Sequence, residues 1–133
     1  MQFEVTVLPS GRRFDVDANE TVLAAAIRQR VGLPYSCRDG SCGTCKTKLV
    51  SGGVTLGRHG TQALSEGERG QGFILACCAM AASDIVLDAP RVVAVDMHPI
   101  KKMACRVASI DKPAPDVAIV RLQLPGSEKL AYH

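Results

Sequence analysis

Cys37, Cys42 and Cys45 place three thiols within nine residues, and Cys77 supplies a fourth thirty-two residues further on. A C-x4-C-x2-C run followed by one distant cysteine is a spacing in which four thiolates hold a 2Fe-2S cluster. Such a centre accepts and returns one electron, so the expected chemistry is electron transfer rather than bond making. Two bland readings compete, because six cysteines could also form a disulfide framework or a zinc site. A stapled secreted domain is expected where the core is too small to hold the fold, yet this chain has 133 residues and 47% apolar content. Structural zinc usually takes two close pairs of ligands, whereas here three thiols are bunched and the fourth stands apart. Met1 to Leu8 alternates in polarity instead of running apolar behind a basic leader. A reducing cytoplasm, with free or metal-bound thiols, is the expected setting.

The segment around the three close cysteines reads Pro34-Tyr35-Ser36-Cys37-Arg38-Asp39-Gly40-Ser41-Cys42-Gly43-Thr44-Cys45. Converging three thiolates from so short a stretch needs tight, partly left-handed turns, which Gly40 and Gly43 adopt without a Cβ clash. Backbone amides and the hydroxyls of Ser36, Ser41 and Thr44 are candidate donors to sulfur, and such donors raise a reduction potential. Arg38 and Asp39 are expected at the exposed rim, where they could steer a redox partner or simply be solvated. Leu33 and Tyr35 are expected to shield the site from water, Tyr35 by packing over the loop.

The elements that must position this loop are legible from periodicity. Phe3, Val5 and Val7 alternate, Pro9-Ser10-Gly11 turns the chain, and Arg12 to Val16 alternates again, predicting a hairpin. Asp17 or Asn19 is a candidate helix cap, Asp17 with Glu20 having capping-box spacing. Val22, Leu23, Ala26, Ile27 and Val31 then recur at helical spacing, with Arg28, Gln29 and Arg30 toward water and Gly32 and Pro34 as terminators. Strands are expected over Lys46 to Val50, Phe73 to Ala76 and Ile85 to Leu87, with one helical turn over Leu64 to Arg69. Gly57 to Gly60 reads as a surface excursion without a regular element, and His59 as a solvated loop residue. One helix crossing a mixed sheet is an α+β roll.

Charge and composition exclude several classes. The formal charge of +3 resides in the tail: residues 1 to 90 carry nine Lys/Arg and nine Asp/Glu, residues 91 to 133 seven and four. There is no tryptophan and no run of Lys/Arg, hence neither stacking platforms nor a phosphate-tracking stripe for nucleic acid. No stretch of eighteen apolar residues is available to cross a membrane, and a soluble protein is expected. His59, His98 and His133 are scattered, and no nucleophile–base constellation emerges, so no catalytic residue is assigned.

Pro34-Tyr35-Ser36-Cys37-Arg38-x-Gly40-Ser41-Cys42-Gly43-x-Cys45 and Phe73-Ile74-Leu75-Ala76-Cys77 closely resemble plant-type ferredoxins over about residues 1 to 90. The resemblance implies a β-grasp fold and a 2Fe-2S centre held by Cys37, Cys42, Cys45 and Cys77. Cys77 and Cys78 are both candidates for the fourth ligand; Ser83-Asp84 resembles the pair that follows the last ligand in that family and aligns Cys77 with it. Cys78 and Cys105 are then buried or free thiols, and strand alternation would let just one of the two neighbours face the cluster.

Beyond a linker at 91–101, residues 102–133 are expected to begin a second domain. Met103 to Ile110 and Val117 to Leu124 read as strands separated by Lys112-Pro113-Ala114-Pro115. They resemble the opening hairpin of the flavin-binding barrel in NAD(P)H-dependent iron–sulfur flavoprotein reductases, the CDP-6-deoxy-glucoseen reductase type above all. That resemblance implies FAD and NAD(P)H in a longer parent protein, a flavin reductase domain as electron donor, in the same chain or separate, and a redox acceptor protein. A stand-alone ferredoxin shuttle is the alternative, and a zinc-binding interaction module a weaker one. No flavin-binding segment or glycine-rich pyrophosphate loop occurs before His133, so FAD binding by these residues alone is not expected. An unpaired barrel hairpin exposes edges and apolar faces, so the tail is expected to be disordered, folded back or paired with another copy.

Overall fold

The computed structural model describes residues 1–92 and 102–126, and the chain divides into two compact units, Met1–Met97 and His98–His133. The first unit opens with β1 (Gln2–Leu8) and β2 (Arg12–Asp17), paired antiparallel as the alternation predicts. Val5, Val7, Phe14 and Val16 point inward, and the polar residues between them face water. Helix α1 (Val22–Arg28) follows. Its cap is Thr21, whose hydroxyl accepts from the amide of Ala24, rather than the expected Asp17 or Asn19. Glu20 instead accepts from the Asp17 amide at 3.4 Å and pairs with Arg28 at 2.8 Å, so the predicted acidic pair braces the turn before the helix. The helix stops at Arg28 because Gln29 reaches across to the Asp15 backbone and Arg30 turns left-handed at φ 59°.

After the cysteine loop come β3 (Lys46–Ser51), β4 (Val54–Leu56), α2 (Glu66–Gly70), β5 (Phe73–Leu75), β6 (Ala79–Ala81) and β7 (Ile85–Asp88). The main sheet has the order β2-β1-β7-β3-β5, with β7 parallel to β1 and antiparallel to β3. Strands β4 and β6 form a small second sheet, neither strand of which was expected from the sequence. α1 buries Val22, Leu23, Ala25 and Ala26 against a core of Val5, Val7, Leu75, Ile85 and Leu87. This mixed sheet crossed by one main helix is the α+β β-grasp architecture that the resemblance implies.

The second unit contains β8 (Arg106–Ala114) and β9 (Val117–Gln123), an antiparallel hairpin around Pro115-Asp116. β8 runs further than expected, carrying Lys112-Pro113-Ala114 inside the strand. A two-stranded sheet has only edges, and its register slips between Asp111 and Ala114, which is where proline is tolerated. Over 106–123 the chain forms a two-stranded hairpin. Val107, Ile110, Val117, Ile119, Val120 and Leu122 each keep about half of their surface exposed. The expected linker lies, from residue 93 onward, outside the described residues.

Candidate metal centre

The loop from Pro34 to Cys45 joins α1 to β3, and both of its ends are fixed by the core. Leu33 is buried at the entry and Cys45 at the exit, where Lys46 begins β3 and its amide donates to the Gly43 carbonyl at 3.1 Å. Gly40 and Gly43 are left-handed, at φ 81° and 75°, as the tight path requires. Their hydrogens also make room. A Cβ on Gly43 would meet the Ala63 carbonyl at 3.0 Å, and one on Gly40 would meet Cys78 Sγ at 2.8 Å and the Arg58 carbonyl at 3.0 Å. Arg38 is left-handed as well, at φ 63°, which the sequence did not signal. Its guanidinium lies 5.0 Å from the centre of the exposed Tyr35 ring, so Tyr35 carries a cation rather than lying as an apolar lid.

Two of the four thiols belong to the surface part of the loop. The amides of Asp39 and Cys42 approach Cys37 Sγ at 3.5 and 3.4 Å, and the Thr44 amide approaches Cys42 Sγ at 3.4 Å. The Thr44 hydroxyl lies 3.2 Å from Cys42 Sγ and is a donor to its thiolate. That hydroxyl first, and then the neighbouring amides, hold the Cys42 thiol down at about 6. Among the other expected donors, Ser41 Oγ bonds the Asp39 carboxylate rather than sulfur. Asp39 is held below the usual carboxylate range by Cys37 and then by Ser41, so it belongs to the loop's own framework. Ser36 and Arg38 are exposed at the rim.

The other two thiols are interior. Cys45 is buried, and desolvation pushes its thiol up to about 11; Cys77 is raised for the same reason, and the two thiols interact with one another. The turn bearing Cys77 is held by three backbone hydrogen bonds. Ala76 N donates to the Cys45 carbonyl at 3.2 Å, Leu23 N at the start of α1 donates to the Ala76 carbonyl at 2.9 Å, and Gly57 N donates to the Cys78 carbonyl at 2.8 Å. Cys78 corrects the alternation argument. Residues 76–78 form a turn between β5 and β6, closed by Cys78 N on the Leu75 carbonyl, so Cys77 and Cys78 do not face opposite ways. Their sulfurs lie 3.4 Å apart. Cys105 is exposed, and none of the six cysteines is disulfide-bonded. His59 is partly buried, its Nδ1 2.9 Å from the Gly57 carbonyl.

The family described as the 2Fe-2S iron-sulfur cluster binding domain matches residues 5–82. The chain belongs to that family. Its cofactor is therefore a 2Fe-2S cluster, and its chemistry is electron transfer. It is 37% identical over 132 residues to the CDP-6-deoxy-L-threo-D-glycero-4-hexulose-3-dehydrase reductase of Yersinia pseudotuberculosis, covering 99% of this chain and 40% of that protein. It is 43% identical to the reductase component DmpP of phenol 2-monooxygenase from a Pseudomonas species, over 67% of this chain and 25% of that one. Among solved structures, the Amycolatopsis cytochrome P450 reductase GcoB superposes with a TM-score of 0.75 at 36% identity, over 98% of this chain and 38% of that one. This ferredoxin-type chain spans about 40% of the length of the curated relatives it matches end to end. Among the described residues, no helix is long and apolar enough to cross a membrane.

Proposed function

We propose that Cys37, Cys42, Cys45 and Cys77 hold the two irons, and that the domain relays single electrons from a flavin reductase domain to a redox acceptor protein. The observation that carries this reading is the split of the four thiols into a surface pair and an interior pair, joined through one loop. A two-iron centre takes two thiolates at each iron, whereas a mononuclear zinc ion needs its donors around one point. Among the described residues, no three His, Cys, Asp or Glu side chains gather in that second way.

The residues then have separable tasks. Cys45 and Cys77 anchor one side of the centre to β3 and to the turn before β6. Cys37 and Cys42 leave its other side near solvent, where a partner can approach closely. Amides at Asp39, Cys42 and Thr44 offer hydrogen bonds to sulfur, and these favour the reduced, more negative state. When bound, the cluster supplies a one-electron couple at roughly −400 mV, the range of plant-type centres.

The β8–β9 hairpin favours a fused reductase over a free shuttle. Its exposed apolar residues on a two-stranded sheet are what the start of a larger barrel presents, since an isolated hairpin is marginal in water. The balanced charge of residues 1 to 90 agrees with this, because a tethered domain gains encounter frequency from its linker and needs no one-signed face. In such a parent, a flavin domain fed by NAD(P)H would supply the single electrons that the centre held by Cys37, Cys42, Cys45 and Cys77 would pass on. The test of the site is anaerobic purification with iron and sulfide assays. Two of each per chain are expected, with visible absorbance that bleaches under dithionite and an EPR signal in the reduced form; an empty chain after reconstitution would overturn the ligand assignment.

A further inference from the structure

We propose that Cys78 is a reserve ligand, a fifth thiol able to replace Cys77 at the iron. The proposal rests on the cluster reading above and extends it to a residue that reading leaves idle. Both sulfurs emerge from one turn, 3.4 Å apart, and both residues are buried. Both also face the ligand loop. Cys78 Sγ lies 2.8 Å from the point where a Cβ on Gly40 would stand, and Cys77 interacts with the thiol of Cys45 at the end of that loop. The Cys78 thiol is not committed to a strong partner, since its hydrogen-bond contacts are the Arg58 carbonyl at 3.3 Å and the neighbouring Cys77 sulfur at 3.4 Å. A thiol is a weak donor, so little is lost when that contact is given up.

Four backbone hydrogen bonds, those through Ala76 N, Ala76 O, Cys78 N and Cys78 O, fix the turn on both sides of Cys77, so exchange needs side-chain rotation rather than rearrangement of the fold. The step balances without any redox change. The Cys78 thiol loses its proton to solvent as its sulfur bonds iron, and the Cys77 sulfur takes up a proton as it leaves.

The experiment compares the chain with Cys77→Ala, Cys77→Ser, Cys78→Ala and the Cys77→Ala/Cys78→Ala pair, each reconstituted anaerobically with iron and sulfide. Iron content, visible absorbance and EPR after dithionite are read, and far-UV circular dichroism checks that each cluster-free chain folds alike. Cys78→Ala should match the parent in all three. Cys77→Ala should retain at least half of the parent's iron, with shifted EPR g values, and the pair should retain none. Loss of the cluster in both Cys77 variants, with Cys78→Ala full, would overturn the proposal. So would a cluster kept by Cys77→Ala and lost by Cys78→Ala, which would make Cys78 the resting ligand. An empty parent chain would instead mark failure of the underlying cluster reading, and the proposal would fall with it.

Discussion

The two halves of the cysteine site are opposites in surroundings although identical in chemistry. Cys37 and Cys42 sit in a loop whose amides and hydroxyls reach sulfur, and Cys42 is held down at about 6. Cys45 and Cys77 sit in the core beside β3 and α1, and burial pushes Cys45 up to about 11. A protein environment can thus favour a thiolate on one side and oppose it on the other within the one proposed ligand set. The lesson is that assembly and exchange ask for different things: the buried pair gives a fixed seat, and the surface pair gives access.

The comparison breaks most visibly at Cys45. Cys45→Ala should abolish the cluster, because no second thiol shares its turn as Cys78 shares that of Cys77; a normal visible spectrum from this variant would defeat the account of the interior pair. A sharper contrast comes from alkylation of the cluster-free chain by iodoacetamide at pH 7. At pKa values of about 6 and 11, the thiolate fractions differ by roughly four orders of magnitude, which the lower nucleophilicity of the more acidic thiol reduces to about fifty-fold. Cys42 should therefore be labelled at least that much faster, and peptide mapping reads the ratio. From pH 7 to 9 the Cys42 rate should level off, while that of Cys45 should keep rising about tenfold per unit. Equal rates would remove the electrostatic difference.

Smaller effects test how the loop is supported. Gly40→Ala forces a Cβ into left-handed backbone and against Cys78 Sγ, costing at least about 1–2 kcal/mol. Its thermal midpoint should fall by about 5–15 °C, and its cluster should bleach sooner in air. An unchanged melt would show that the loop yields. The mildest change is expected at Glu68. This residue completes the capping box of α2 with Ser65 and bonds Lys46, the residue after Cys45, at 2.6 Å. Lys46 and then Ser65 hold its carboxyl down at about 2. A depressed carboxyl stabilises the fold above its ordinary value of 4.5, and the contribution is lost as pH falls toward 2. Glu68→Gln should therefore lower the urea midpoint at pH 7 and converge with the parent chain in acid; a constant gap would point to lost packing instead.

The four-cysteine spacing and the loop glycines were readable in the sequence because few chemistries use that pattern and few residues accept those turns. The hairpin, the main helix and the central strands were readable because their alternation is long enough to count. β4 and β6 were missed because strands of three residues carry no periodicity; their pairing is decided by tertiary contact. The cap fell to Thr21 rather than Asp17 because Glu20 was drawn to Arg28, a partner eight residues away. Cys78 was misread for a related reason. Alternation assumes a strand, and the backbone bond from Cys78 to Leu75 makes a turn there. Arg38 in left-handed backbone has no signal in its type and is set by the loop's closure.

The position of β7 constrains the order in which this domain can be made. It is the last strand among the described residues of the first unit, yet it lies in the middle of the main sheet, bonded to β1 on one side and β3 on the other. During synthesis, Cys37, Cys42 and Cys45 leave the ribosome while the sheet still lacks its centre, and Cys77 appears only a few residues before β7. The nascent chain therefore exposes three unprotected thiols before it can offer a finished cradle, and iron and sulfide are best delivered after Asp88 has emerged.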